Sequence, residues 1–316
     1  MARIWITGAR GFIGRQLAIY CAGLNHTVSG VGHGTWSPVE AARHGLDQWI
    51  NGDVTGSNLQ ALCGRDGPPA AIIHLAGGSS VGAAIAQPSE DFSRTVGSSV
   101  ALLEWIRQES PATRLVAVSS AAVYGAGHEG KISEAAALTP HSPYGFHKMM
   151  MENLCQSYAS SYGISVAIAR LFSVYGDGLR KQLLWDLCCK LAGPGKVIEL
   201  GGDGEELRDW LGVADAVKNL EGLSGIASPD VPVLNVGTGK GTSVREVATL
   251  VMDAWRGDRE PDRTLKFTGL ARPGDPRSLV ADSGVLAARG MVCRTTIGQG
   301  AVEYVRWFRT TNQPLP

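Results

Sequence analysis

Tyr144 and Lys148 stand four residues apart in Tyr144-Gly145-Phe146-His147-Lys148. At that spacing two side chains share one face of a helix. An ammonium beside a phenol favours phenolate, so the pair reads as an acid/base couple for an alcohol or a carbonyl. Upstream, an apolar run ends in Ser119-Ser120-Ala121-Ala122-Val123-Tyr124-Gly125. A serine hydroxyl there could hydrogen-bond the same reacting oxygen. His141 and His147 flank the tyrosine and read as solvated or structural histidines; His74 reads as a core histidine.

A second constellation opens the chain. Ile4–Thr7 runs into Gly8-Ala9-Arg10-Gly11-Phe12-Ile13-Gly14, with G-x-x-G-x-x-G spacing. Such a loop brings backbone close to a pyrophosphate, and the helix that follows offers free N–H groups to it. Asp53, in Asn51-Gly52-Asp53-Val54, could accept a hydrogen bond from an adenine amino group, with Val54 beside the ring. Chains that bind NAD usually carry an acid at the end of the second strand. Here that strand ends in Val31-Gly32-His33-Gly34, without one. A 2′-phosphate would meet no repulsion there, and Arg10 and His33 could supply positive charge. The pattern favours NADP(H) and leaves NAD(H) open.

These residues need a frame that sets them at one edge. Candidate strands are Ile4–Thr7, Thr27–Val31, Gln48–Asn51, Ala71–Leu75, Leu115–Ser119 and Val166–Ala169, with helical patterns at Phe12–Leu24, Phe92–Glu109 and Lys148–Tyr162. Continuous apolar strands alternating with helices predict an α/β fold: a doubly wound parallel sheet covered on both faces. After Leu171 the rhythm changes to Gly-rich turns, a strand at Val233–Val236 and a helix at Val244–Trp255. Residues 1–170 read as the Rossmann-type dinucleotide-binding domain. Residues 171–316 read mainly as a smaller C-terminal substrate-binding lobe, with some segments returning to the sheet.

Composition sets outer bounds. The chain has 316 residues, 44% hydrophobic and 18% charged, enough for a sizeable core. Its 29 basic and 29 acidic side chains balance, unlike the basic footprint of a nucleic-acid binder. Six cysteines show neither C-x-x-C pairs nor zinc spacing, and no carboxylate or histidine cluster predicts a metal. No signal peptide or membrane-length apolar run is evident, so a cytoplasmic protein is expected. Trp105, Trp185, Trp255 and Trp307 look like core or interface anchors.

Together these motifs resemble the extended short-chain dehydrogenase/reductase family, in its NAD-dependent epimerase/dehydratase branch acting on nucleotide sugars. The resemblance rests on Thr7 to Gly14, Ile73 to Gly77, Ser119 to Gly125, Tyr144 to Lys148 and Arg170 to Gly176. Gly202 to Trp210, Asn235-Val236-Gly237 and Arg272-Pro273-Gly274-Asp275 extend it into the second half. It implies Ser120 as the catalytic hydroxyl, Tyr144 as acid/base and Lys148 as its partner, also reaching the cofactor. Leu75-Ala76-Gly77 would pass the cofactor; Ser173 would face the nucleotide sugar, and Arg208 and Arg272 would meet its diphosphate. The helices Phe92–Glu109 and Lys148–Tyr162 would form a homodimer interface.

The chain also departs from the family pattern. Ala121-Ala122 stands where hexose dehydratases carry Asp-Glu, which speaks against elimination of water. Ser173 and Thr95 each replace a customary Asn. The expected activity is NADP(H)-dependent reduction of a keto group on a nucleotide-activated sugar. The alternative is an NAD-dependent 4-epimerase, similar to UDP-glucose 4-epimerase, with a retained cofactor. A binding protein without turnover is the remaining reading.

Overall fold

The computed structural model describes residues 1–256, 263–270 and 275–311. Seven strands form one parallel sheet: Arg3–Thr7, Thr27–Gly32, Gln48–Asn51, Ala71–His74, Arg114–Ser120, Val166–Leu171 and Val233–Val236. Their spatial order is 233–236, 166–171, 114–120, 71–74, 3–7, 27–32, 48–51. Connections run one way from 3–7 to 48–51, then return to its other side at 71–74. That reversal creates a crevice at the carboxyl ends of 3–7 and 71–74.

Alternation along each strand supplies two cores. Ile4 and Ile6 pack on one face with Leu17 and Cys21 of the Phe12–Gly23 helix and Leu220 of the Val213–Ser224 helix. Trp5 packs on the other with Leu59, Leu102, Trp105 and Met151, from helices Gly56–Asp66, Ser98–Glu109 and Pro143–Tyr162. The rings of Trp5 and Trp105 meet at 5.2 Å between centroids, so Trp105 is a core anchor.

The second half builds a separate core. Leu184, Leu187, Trp210, Val247, Val251, Trp255, Tyr304 and Phe308 pack together, with Trp185 and Trp307 half-buried against them. They come from helices Gln182–Ala192, Val244–Arg256 and Ile297–Thr311 and the strand Leu207–Gly212. That strand carries Ser173–Tyr175 alongside it in parallel.

Two boundaries differ from the sequence pattern for local reasons. The helix expected from Lys148 begins at Pro143, because the Ser142 side chain caps it by accepting the Gly145 N–H at 3.2 Å. Proline at its first position needs no N–H partner. The helix expected over Phe92–Glu109 is interrupted by a single π turn, Ser93–Gly97. Such turns are frequent at functional sites.

Candidate active site

One cleft of about 1840 Å³ runs across the carboxyl edge of the sheet and under the second lobe. Gly8, Arg10, Gly11, Phe12, Ile13, Gly14, His33, Asp53, Val54, Leu75, Ala76 and Gly77 line it. So do Ser120, Tyr144, Lys148, Ser173 and Arg208. The structure thus brings together every residue named above for a site except Arg272, which lies outside the described residues.

The glycine loop fits a dinucleotide. Gly8 adopts φ +69°, and a Cβ there would lie 3.0 Å from the Ala76 nitrogen. A Cβ on Gly14 would fall 2.3 Å from the Gly8 carbonyl oxygen. The loop is therefore packed flat against its neighbours, with its outer surface free for phosphate. No side chain caps the Phe12–Gly23 helix and no acid stands in its first turn, so its N-terminal dipole is unmatched.

At the adenosine end the structure redistributes the expected charges. His33 Nε2 lies 2.8 Å from Asp53 Oδ1, so these two exposed residues pair with each other. The His33 ring is thus held against Asp53, and the Asp53 carboxylate is shared. Arg10 extends over the Trp36 ring, 5.6 Å from its centroid, and crosses Gly34, where a Cβ would meet its guanidinium at 1.7 Å. Arg10 is a cation placed to meet a phosphate at this end, with Arg15 also lining the cleft.

The two adjacent serines are sorted by their partners. Ser119 is buried and donates to Glu152 Oε1. Ser120, half-exposed at the strand end, accepts the Ala122 N–H at 3.2 Å and shares the cleft with Tyr144. Behind Ser119 the Glu152 carboxylate pairs with Arg170 at 2.7 Å. Arg170 donates to the Tyr124 hydroxyl at 2.8 Å, and that hydroxyl donates to Asn235 Oδ1 at 2.7 Å. This buried chain fixes the strand end that carries Ser120.

Lys148 is buried and donates to the Val118 carbonyl at 2.8 Å. Burial pushes its pKa down to about 8, against the pull of Asp91 and Glu152. Its ammonium lies 6.0 Å from the Tyr144 ring centroid. The expectation that Lys148 would lower the phenol pKa is not met in this geometry. Burial holds the Tyr144 pKa above its ordinary value, the nearby Ser120 hydroxyl lowers it, and the Asp91 charge raises it further. Tyr144 is therefore protonated near neutral pH, the form that donates a proton. His74 is a core histidine: its ring bonds Thr7 Oγ1 at 2.7 Å and Ser99 Oγ at 3.1 Å. His147 is not solvated; it is buried against Asp91.

Residues in and behind the cleft also take roles that the sequence reading did not give them. Thr95, in the π turn, accepts the Gly78 N–H at 2.8 Å and sits beside Gly77 and Lys148. Lys181 reaches across from the second lobe to the Ser79 carbonyl at 2.9 Å. Next to it Gln182 holds φ +67°, a conformation costly for a non-glycine residue. Arg208 pairs with Asp275 at 2.9 Å, so a diphosphate would compete with that carboxylate.

The model of the NAD dependent epimerase/dehydratase family matches residues 4–221. The chain belongs to that family. It is accordingly a nicotinamide-dependent enzyme of the short-chain dehydrogenase/reductase type. Among curated relatives it is 36% identical over 152 residues to an uncharacterized UDP-glucose epimerase, YtcB, of Bacillus subtilis, a match spanning 48% of each chain. It is 28% identical to the UDP-glucose 4-epimerase of Azospirillum brasilense, over 88% of this chain and 83% of that one. Among solved structures, MoeE5 in complex with UDP-glucuronic acid and NAD superposes with a TM-score of 0.82. That pair is 28% identical and covers 98% of this chain and 99% of MoeE5. Among the described residues no helix is long and apolar enough to cross a membrane.

Proposed function

We propose that this enzyme reduces a keto group of a nucleotide-activated sugar, using NADP(H). A bound nicotinamide cofactor would supply the hydride. Ser120 orients the carbonyl oxygen, Tyr144 donates the proton to it, and Lys148 holds the tyrosine and the cofactor side of the cleft. Raised by burial, the Tyr144 phenol is in the donating form at neutral pH, which suits reduction. Arg10 carries the cofactor preference: the second strand ends without a carboxylate, Asp53 is paired to His33, and the charge that Arg10 meets instead is Glu40 on the following helix. Ala121 and Ala122, lining the cleft beside Ser120, bring no acid for dehydration. Arg208 and Ser173 hold the nucleotide sugar. A homodimer is part of the same proposal: Phe92, Val100, Phe146 and Met150 leave apolar surface exposed on the relevant helices.

The relatives favour a second reading. Several are UDP-glucose 4-epimerases, in which the same residues would serve oxidation and return of hydride with the cofactor retained. One experiment separates the two. Purified enzyme is given NADPH with a UDP-4-keto sugar, or NAD with UDP-glucose, and the Tyr144→Phe variant is run beside it. Consumption of NADPH, lost in the variant while NADPH binding is kept, supports the reductase. Epimer formation without net cofactor consumption would replace it, and full activity in the variant would remove Tyr144 from the mechanism.

A further inference from the structure

The charges around the cleft leave one cation that the reaction does not use. Among the described residues four carboxylates line the cleft, and each is engaged. Asp53 pairs with His33, Asp186 with Lys190 and Asp275 with Arg208. Glu206 accepts the backbone N–H groups of Asp203 and Gly204. Of the cations, Arg10 and Arg15 stand at the glycine loop, where cofactor phosphates come. Arg94 pairs with Glu90, and Lys148 belongs to the catalytic set. Arg208 is assigned to the substrate diphosphate. Lys181 remains.

Lys181 is half-buried and reaches over from the second lobe, where its ammonium donates to the Ser79 carbonyl at 2.9 Å. Among the described residues no acid pairs with it, and burial alone lowers its pKa. An ammonium has three donors, so two are left after the carbonyl. Its place is the catalytic end of the cleft. Ser79 is two residues beyond Gly77, a span of at most about 7 Å. A Cβ at Gly77 would lie 3.3 Å from Lys148 Nζ. Sugar hydroxyls could satisfy the free donors but would leave the charge unmatched; a carboxylate would satisfy both.

We propose that Lys181 binds a carboxylate carried by the sugar, so that the substrate class is a nucleotide-activated sugar acid rather than a neutral hexose. The inference rests on the cleft being a nucleotide-sugar site. Lys181 then sets sugar specificity and takes no part in proton or hydride transfer.

The test measures binding and needs no turnover. Enzyme saturated with NADP⁺ is titrated calorimetrically with UDP-glucuronic acid, UDP-glucose and UDP. The wild type is expected to bind UDP-glucuronic acid about tenfold more tightly than UDP-glucose, the worth of one partly exposed charge-assisted hydrogen bond. Lys181→Gln keeps a donor and loses the charge, so the ratio of the two affinities should fall to about one. Lys181→Arg should keep the preference, and added salt should narrow it in the wild type. A lysine that only ties the second lobe to Ser79 would, on replacement, lower both affinities together and leave their ratio where it was. A lysine on the diphosphate would, on replacement, weaken UDP as much as either sugar. Either result overturns the inference, as does a wild type that does not prefer UDP-glucuronic acid; UDP binding then shows that the nucleotide-sugar reading still stands. Binding of none of the three would overturn that reading, and the inference with it.

Discussion

Replacing Arg10 by Gln should separate the two nicotinamide cofactors. The guanidinium lies over Trp36 and beside Gly34, at the end of the strand where a 2′-phosphate would sit. Gln keeps length and polarity but loses the charge. A charge-assisted hydrogen bond is worth about 1.5–3 kcal/mol. Arg10 is exposed, so the low end applies: about 1.5 kcal/mol, or roughly tenfold in affinity. His33 cannot take over fully, since its ring is held against Asp53. Fluorescence titration should show NADPH bound about ten times more weakly by Arg10→Gln, with NADH affinity unchanged. Added salt should weaken NADPH binding to the wild type more than to the variant. Equal losses for the two cofactors, or a wild type that prefers NADH, would refute the reasoning and move the retained-NAD epimerase to first place.

Other consequences follow from buried groups. Burial, with Lys148 adding to it, pushes the His74 pKa down to about 3 from 6.5. The unfolded chain then binds the extra proton, so this contribution is complete above about pH 6.5 and lost as pH falls toward 3. Urea unfolding should lose about 2 kcal/mol between roughly pH 7.5 and pH 5 from this group, and His74→Asn should flatten that slope. Glu152→Ala strands the Arg170 guanidinium and should cost about 3–5 kcal/mol of stability; a urea midpoint shift too small to resolve would contradict the buried network. Because burial raises the Tyr144 pKa, the oxidation direction should accelerate as pH rises above neutrality, while reduction stays flat there; stopped-flow rates across pH would show the opposite order if Tyr144 were already ionised.

Much of the frame was legible because its signals are local. The glycine loop, the apolar strands and the Tyr144–Lys148 spacing each report on a few consecutive residues, and the parallel sheet follows from them. The contacts that were missed join residues remote in sequence. Asp91 meets His147 across 56 positions and Lys181 meets Ser79 across 102, so neither pair leaves a local pattern. Thr95 was noticed as a replaced residue, but its bond to Gly78 needs the π turn, which no periodicity announced. His33 and Asp53 were each assigned a ligand; strands 27–32 and 48–51, side by side, also bring them within reach of each other.

The strand Val233–Val236 occupies one outer edge of the sheet although it is made last. During synthesis, strand 166–171 must wait with an open edge until more than sixty further residues have emerged. The waiting period also leaves the buried chain behind Ser119 one member short, since Asn235 is the final acceptor for Tyr124. A nascent chain halted before that strand would hold the cofactor loop and the Ser-Tyr-Lys set, yet lack the residue that completes their support. Ribosome-bound fragments ending on either side of Asn235 should therefore differ sharply in protease resistance.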